Sequence, residues 1–222
     1  MRVALVFNQK KEDHSQSGRD DQGEPPSSGM ISYLAGVSSR ENLPSVTQSI
    51  LTNDRYAEWD TEETILAVRN ALAEIHDVVM IEANEHAYER LRTDRPDIVF
   101  NIAEGMYGIS REAQIPAMLE LLQIPYSGSD PLTLATCLDK SRAKEILSYY
   151  GVSTPKFAVV SNSSELQKFV FPLPAIVKPL HEGSSKGIFN SSVVRTKQDL
   201  DREIAKVLQS YEQPALIEEY LE

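Results

Sequence analysis

The sequence predicts an α/β protein in two parts, an N-terminal part with a parallel sheet and a smaller α+β part with an antiparallel sheet. In the first half, apolar β-branched segments are separated by amphipathic helical segments, which is typical of parallel strands covered by helices on both faces. In the second half, four strand-like segments occur, and a short glycine-rich loop joining two of them favours antiparallel pairing. We therefore expect a boundary near residue 132, with parts spanning 1–132 and 133–222.

Strands and helices are predicted to alternate in the N-terminal part. The first strand covers residues 1–7 (MRVALVF). In segment 61–75, apolar residues recur at helical spacing from Ile65 onward, and Asp60 or Thr61 is a suitable N-cap. The remaining predicted elements are a strand at 77–82, a helix at 86–95, a strand at 97–102 and a helix at 114–124.

A long polar stretch separates the first strand from the first of these helices. Residues 9–54 are rich in Ser, Gly, Asp, Gln and Pro, and their low hydrophobicity cannot offset the entropy lost on ordering. We expect a mobile insertion here, with a short helix as an option in LPSVTQSILTN, residues 43–53.

The second part is predicted to begin with one helix over 134–151, closed by Gly151 at its C′ position. The elements that follow are strands at 157–161, 175–180, 191–195 and 215–221, with a helix at 197–211 before the last strand. The final strand pattern runs to Glu222 without a polar tail, so we expect the chain to be a fragment of a longer protein.

Composition and charge exclude several classes of function. The 22 basic and 33 acidic side chains give a net charge of −11, which disfavours nucleic acid and anionic membrane surfaces as partners. The single cysteine, Cys137, forbids an intrachain disulfide and is predicted to be a small core residue. The first apolar segment reaches charged residues too soon for a signal peptide or a membrane span, so the cytoplasm is the expected compartment.

A glycine-rich loop after a strand is the sharpest chemical signal. In PAIVKPLHEGSSKGI, residues 174–188, the strand delivers Lys178 and the loop supplies two glycines, two serines and a second lysine. Small residues allow backbone N–H groups to approach phosphate oxygens, and a lysine adds a point charge, so a nucleotide phosphate is the predicted ligand. A hairpin with an incidentally glycine-rich loop remains open, since neither a P-loop nor a Gly-x-Gly-x-x-Gly motif is present.

Five motifs in order resemble the ATP-grasp superfamily, and specifically its D-alanine:D-alanine ligase branch. They are Asp139–Lys140, TPKF at 154–157, VKP at 177–179, EGSSKGI at 182–188 and LIEEYLE at 216–222. The resemblance covers residues 1–8 and 56–222. It implies a pre-ATP-grasp (Rossmann-like) domain followed by the small subdomain of the ATP-grasp fold.

The resemblance also implies a set of nucleotide-binding residues. Lys140 and Lys178 would contact the phosphates, Ser184 would act catalytically on the transferred phosphoryl group, and Glu218 would hold the adenine amino group. The full set is Lys140, Lys178, Glu182, Gly183, Ser184, Ser185, Gly187, Glu218, Glu219 and Leu221. The less favoured alternative for Lys140 is an exposed helix cation, and without the family Glu218 and Glu219 would more often be strand-surface charges.

An amino-acid site is predicted in the N-terminal part. Similar ligases have a His-Gly pair where this chain has IAEGMYGISRE, residues 102–112. Glu104, Arg111 and Glu112 are candidates for binding an amino acid, because a guanidinium fork suits a carboxylate and a carboxylate suits an ammonium group. The alternative is a solvated loop without a ligand.

The predicted function is therefore the N-terminal part of an ATP-dependent carboxylate–amine ligase acting through an acyl phosphate, in the cell-wall peptidoglycan branch. ATP and Mg²⁺ are the implied cofactors and amino acids the implied substrates, with the metal ligands expected beyond residue 222 and none within the chain. The alternatives are a stand-alone nucleotide- or amino-acid-binding regulatory module, including a homodimer formed through the N-terminal part, and another peptide-forming ATP-grasp ligase.

Overall fold

The computed structural model describes residues 1–11 and 54–221, which form two separate sheets. Most of the insertion predicted for 9–54, with the optional helix at 43–53, lies outside the described residues.

The first sheet is parallel, with three strands in the order β2-β1-β3. These are β1 (Arg2–Phe7), β2 (Asp77–Glu82) and β3 (Ile98–Asn101). Val3 pairs with Val78 on one side and with Ile98 on the other, so β1 is the central strand. The predicted parallel sheet is confirmed.

Helices cover both faces of this sheet. They are α1 (Glu62–Ala73), α2 (Ala87–Asp94) and α3 (Gln114–Leu122). Ala4 and Val6 of β1 face a core that contains Leu91 and Leu119, whereas Leu5 and Phe7 face a second core with Ile65. Because successive side chains of a strand point to opposite faces, a central strand covered on both sides must be apolar throughout.

The second sheet is antiparallel, with four strands in the order β4-β7-β5-β6. The strands are β4 (Phe157–Val160), β5 (Ala175–Pro179), β6 (Val193–Val194) and β7 (Ala215–Glu219). One long helix spans Lys197–Ser210 and buries Leu200, Ile204 and Val207 against the sheet. The predicted α+β architecture of this part is confirmed, and the boundary near residue 132 stays a prediction.

The single helix predicted for 134–151 is wrong, because the chain forms two helices there. They are α4 (Pro131–Leu138) and α5 (Lys140–Tyr149). Asp139 between them is extended, with φ −81° and ψ 96°, and its carboxylate accepts hydrogen bonds from the backbone N–H groups of Ser141 and Arg142 at 3.0 and 3.2 Å. This N-cap restarts the helix at Lys140. Gly151 follows the end of α5 with φ +71°, as predicted.

Two further features of the described residues bear on the predictions. Cys137 is exposed on α4, so its prediction as a core residue is wrong; the apolar stripe of this short helix is formed by its neighbours, with Leu138 buried. Within residues 1–11 and 54–221, no helix is long and apolar enough to cross a membrane.

Candidate functional site

The glycine-rich loop after β5 forms consecutive tight turns. Lys186 N–H donates to the carbonyl of Gly183 at 2.8 Å, and Ile188 N–H donates to that of Ser185 at 3.0 Å. Ser184 and Ser185 have left-handed backbones with φ of +45° and +61°. This conformation costs a serine roughly 1–3 kcal/mol, and such strain concentrates where a loop binds a ligand.

The base of this loop is held by an ionic network. The carboxylate of Glu182 is 2.9 Å from Lys186 Nζ and 3.3 Å from Arg111, and it accepts a 2.8 Å hydrogen bond from Gln213 Nε2. Burial alone would raise the pKa of Glu182, but the hydrogen bond and charge of Lys186 and the charge of Arg111 hold it below its ordinary value. Glu182 is therefore a carboxylate that fixes the loop and its lysine.

Lys140 starts α5 directly beneath the loop. Its ammonium group donates to the carbonyl oxygens of Leu180 and Glu182. Burial lowers the pKa of Lys140, and the nearby charge of Glu182 opposes this effect. An ammonium group has three donors, and the contacts among the described residues use two of them, so one donor remains for a further acceptor.

Lys178 on β5 lies beside Glu218 on β7. The two Glu218 oxygens are shared by two lysines, since Lys178 forms an ion pair with Oε2 and Lys144 lies 2.7 Å from Oε1. Burial would raise the pKa of Glu218, but the hydrogen bonds and charges of Lys144 and Lys178 lower it. Lys144 is missing from the predicted site, although its position one helical turn after Lys140 was a usable signal.

The strand end beyond Glu218 forms the other predicted nucleotide contact. Glu219 N–H donates to the carbonyl of Lys156 at 2.9 Å, and Leu221 is exposed. The backbone from Glu219 to Leu221 thus continues beyond the end of β7, which is an inner strand of the second sheet.

Arg111 joins the two halves of the chain. Its NH2 group is 2.8 Å from both carboxylate oxygens of Glu58, and its NH1 group donates to the carbonyl of His181 at 2.5 Å. The side chains of Arg111 and Glu58 are only 6% and 5% exposed. The guanidinium predicted to bind a substrate carboxylate is thus already engaged by a carboxylate of this chain. Sequence analysis missed Glu58, which carries no motif.

Glu104 and Glu112 line a cavity of about 140 Å³ together with residues 127–129. The cavity follows Asn101, the last residue of β3, at the edge where ligands of parallel sheets bind. Burial, reinforced by the charges of Glu112 and Glu58, raises the pKa of Glu104 to about 7, and burial also raises that of Glu112. Two of the three predicted substrate residues are therefore brought together, and Arg111 does not line this cavity.

His181 is buried at the start of the loop. Its Nε2 atom lies 3.4 Å from Asp139 Oδ2, which connects the cap of α5 to the strand end that carries the loop. Sequence spacing could not show this contact, because 42 residues separate the two side chains.

The lysines, the strained turn and its amide groups fit a chain of phosphates. Among the described residues, no group of three His, Cys, Asp or Glu side chains is arranged to hold a metal ion.

Comparisons with known proteins support the predicted resemblance, although no protein-family model matches the chain. "Uncharacterized protein y4sG" of Sinorhizobium fredii is 36% identical over 125 residues, covering 56% of this chain and 36% of that protein. A D-alanine--D-alanine ligase of Carboxydothermus hydrogenoformans is 32% identical over 181 residues, covering 78% of this chain and 55% of the ligase. The chain spans about half the length of the curated ligases that it matches.

A solved structure is similar to this chain in fold. The D-alanine--D-alanine ligase of Bacillus anthracis complexed with ATP matches with a TM-score of 0.55 and 24% identity, over 100% of this chain and 59% of the ligase. The predicted fold class is thereby confirmed, and the relatives named as ligases confirm the resemblance to the ligase branch.

Proposed function

We propose that this chain, a relative of the D-alanine--D-alanine ligases, supplies one wall of the nucleotide site and an amino-acid site of an ATP-dependent carboxylate–amine ligase. One observation carries the proposal: Lys140 contacts the base of a strained loop, residues 183–187, and Lys178, whose charge acts on Lys140, lies near the end of β5 that leads into this loop. Two cations and a turn of closely spaced N–H groups suit a polyphosphate better than any neutral ligand.

Each residue has a distinct part in this proposal. Bound ATP would supply the phosphoryl group that activates a substrate carboxylate as an acyl phosphate, ready for capture by an amine. Lys140 and Lys178 neutralise phosphate charge, and the loop amides with Ser184 and Ser185 donate hydrogen bonds to the group in transfer. Ser184 is the proposed catalytic residue, because its left-handed backbone presents it at the centre of the turn.

Glu218 is proposed to hold the adenine amino group. Both of its oxygens are engaged by Lys144 and Lys178, so holding an adenine amino group requires the carboxylate to share an oxygen that already binds a lysine. The backbone from Glu219 to Leu221 provides the remaining proposed hydrogen bonds to the base.

The cavity at Glu104 and Glu112 is the proposed amino-acid site. An ammonium group placed between these carboxyls would replace their mutual repulsion with attraction and would draw the raised pKa of Glu104 back down. The proposed substrates are small amino acids, and the ligase names of the relatives point to peptidoglycan precursors. Mg²⁺ is proposed to accompany ATP.

Binding without turnover is the second candidate function. The loop and the cavity both lie within the described residues, so a regulatory module that binds a nucleotide or an amino acid needs nothing more from this chain. The gene sequence after codon 222 distinguishes the candidates. An open reading frame that continues favours the ligase, and an immediate stop codon favours the module.

Calorimetric titration with Mg²⁺ and ATP tests the nucleotide site. We expect Lys178→Ala to abolish the binding heat, because it removes the charge next to the loop. Lys168→Ala, an exposed lysine of the same part, is the matched control and should bind as the unchanged protein does. Unaltered affinity in Lys178→Ala, with an intact circular dichroism spectrum, would contradict the phosphate assignment.

A further inference from the structure

Two carboxylates of this chain already bind the amide groups of the glycine-rich loop. Glu58 Oε1 accepts a hydrogen bond from Gly183 N–H at 2.5 Å, and Asp54 Oδ2 accepts one from Gly187 N–H at 3.0 Å. Both carboxylates come from the segment 54–58, more than 120 residues away along the chain. The first and last glycines of the loop are thus both capped by an anion.

The loop lysine takes part in the same arrangement. Lys186 Nζ lies 3.8 Å from Glu58 Oε2, and Tyr211 OH donates to Asp54 Oδ2 at 2.7 Å. Backbone N–H groups and a lysine converging on carboxylate oxygens reproduce the donor set that a phosphate group requires. Asp54 and Glu58 therefore occupy the position of an anionic ligand.

The two contacts differ in how firmly they are held. Glu58 is fixed by the buried guanidinium of Arg111, with two contacts of 2.8 Å. Among residues 1–11 and 54–221, the Asp54 carboxylate accepts hydrogen bonds from Gly187 N–H and Tyr211 OH, and its Oδ1 atom is buried with no hydrogen-bond partner there. A buried carboxylate oxygen without a partner is unfavourable, so the Asp54 contact is the one that yields to a competing ligand.

We propose that segment 54–58 is an autoinhibitory segment whose carboxylates stand in for phosphate oxygens and must leave the loop before a triphosphate binds. The inference rests on the proposed function, because it assumes that the loop is the phosphate site. It adds to that function a built-in competitor that lowers the affinity for the phosphates and leaves the affinity for the nucleoside unchanged.

Removal of the weaker contact is the direct test. In titrations with Mg²⁺ and ATP, we expect Asp54→Ala to bind about tenfold more tightly, the worth of one lost charge-assisted hydrogen bond to the competitor. Asp54→Asn keeps an acceptor without the charge and should show a smaller gain in the same direction; it also serves if the alanine variant does not fold. Adenosine should bind both variants and the unchanged protein equally.

Asp60→Asn is the matched control, since it removes one negative charge two residues after the segment, and the described amide groups of Gly183 and Gly187 bind Glu58 and Asp54 rather than Asp60. Its affinity for ATP should stay unchanged; a gain equal to that of Asp54→Ala would reduce the effect to net charge and overturn the inference. Equal or weaker ATP binding by Asp54→Ala, with binding lost in Lys178→Ala, would overturn the inference and leave the proposed function standing. Normal binding by Lys178→Ala, or no binding in any variant, would overturn both.

A second readout follows the segment itself. Trp59 is the only tryptophan of the chain; it packs on Tyr56 at 4.9 Å between ring centroids and donates to the carbonyl of Gly105 at 3.2 Å. If the segment leaves the loop, saturating ATP should shift the Trp59 emission, and adenosine should not. Saturation by ATP with an unchanged emission spectrum would show that the carboxylates stay in place and would overturn the inference.

Discussion

Gly187 shows at the scale of one residue how tightly the loop is built. Its φ is +75°, and a Cβ there would lie 2.4 Å from Pro179 Cγ and 3.0 Å from the Tyr211 ring. Gly151 has a similar φ of +71°, but a Cβ there would meet nothing within 4 Å. Substitutions at these two glycines therefore distinguish the cost of backbone strain, which both positions share, from the cost of a steric clash, which is expected only at Gly187.

Alanine substitution at these two positions should have unequal effects. Gly151→Ala should lower the free energy of unfolding by about 1 kcal/mol, because only the left-handed backbone is penalised. Gly187→Ala should cost roughly 2–4 kcal/mol and weaken ATP binding, since the loop must also move away from Pro179. Urea denaturation measures both losses of unfolding free energy. Equal losses would contradict the prediction that the approach to Pro179 adds a steric cost at Gly187.

The raised pKa of Glu104 predicts that the stability of the protein depends on pH. Burial raises the pKa of Glu104 from its ordinary 4.5 to about 7, so the folded chain keeps a proton that the unfolded chain has already lost. The stability from protonated Glu104 is full below the unfolded pKa and is lost as the pH rises through 7. The urea midpoint should therefore fall over this window, and Glu104→Gln should flatten that fall.

Glu85→Gln provides the comparison for this measurement, because the Glu85 side chain is 81% exposed. The urea midpoint of Glu85→Gln should change with pH as that of the unchanged protein does. An unaltered slope in Glu104→Gln would mean that the cavity carboxyl titrates as an ordinary surface group.

Residue types at the loop could be predicted from the sequence, whereas their partners could not. Strand-delivered Lys178 and the EGSSKG segment form a local pattern. Glu58 and Asp54 lie more than 120 residues from the loop, and no spacing rule links them to it. Arg111 was predicted to bind a substrate because an arginine beside acidic residues has the same local sequence pattern in two cases. It can bind a substrate carboxylate, or it can bind a carboxylate of its own chain.

At the scale of elements, the break between α4 and α5 positions Lys140. Sequence analysis predicted one continuous helix, because helical spacing persists through Asp139 and no glycine or proline interrupts it. The break arises from the side chain of Asp139, which competes for backbone N–H groups, and from its contact with His181, which only the folded chain supplies. The strands, defined by apolar runs, could be predicted to within a few residues.

Removal of either aspartate N-cap should lower the stability of the protein, but only one of the two removals should weaken ATP binding. Asp139→Ala and Asp130→Ala each delete an N-cap, of α5 and α4 respectively, and each should cost about 1 kcal/mol. Only Asp139→Ala should also weaken ATP binding, because α5 carries Lys140 to the loop. Thermal melts with calorimetry check this; a similar loss of affinity in both variants would assign the effect to general destabilisation.

At the scale of the whole molecule, a buried ion cluster connects the two sheets. Arg111 follows the first sheet, Glu182 follows β5 of the second, and Glu58 precedes α1. The guanidinium therefore sits between two carboxylates from distant parts of the chain. The fold class of each half could be predicted separately, but this connection depends on how the halves meet, which local patterns do not encode.

Arg111→Leu should destabilise the protein by roughly 3–5 kcal/mol, because Glu58 would keep its buried charge without its main partner and Glu182 would lose one of its two cationic partners. Adding Glu58→Leu should recover part of this loss, since one of the unpaired carboxylates is then removed. The free energies of unfolding of both single variants and the double variant measure the coupling. Strict additivity of the two losses would mean that the cluster is solvated and that the sheets are held together elsewhere. If coupling is found, the loop that carries the proposed phosphate site and the segment proposed to block it share one buried anchor, so nucleotide affinity and the contact between the two halves should change together in every variant of Arg111.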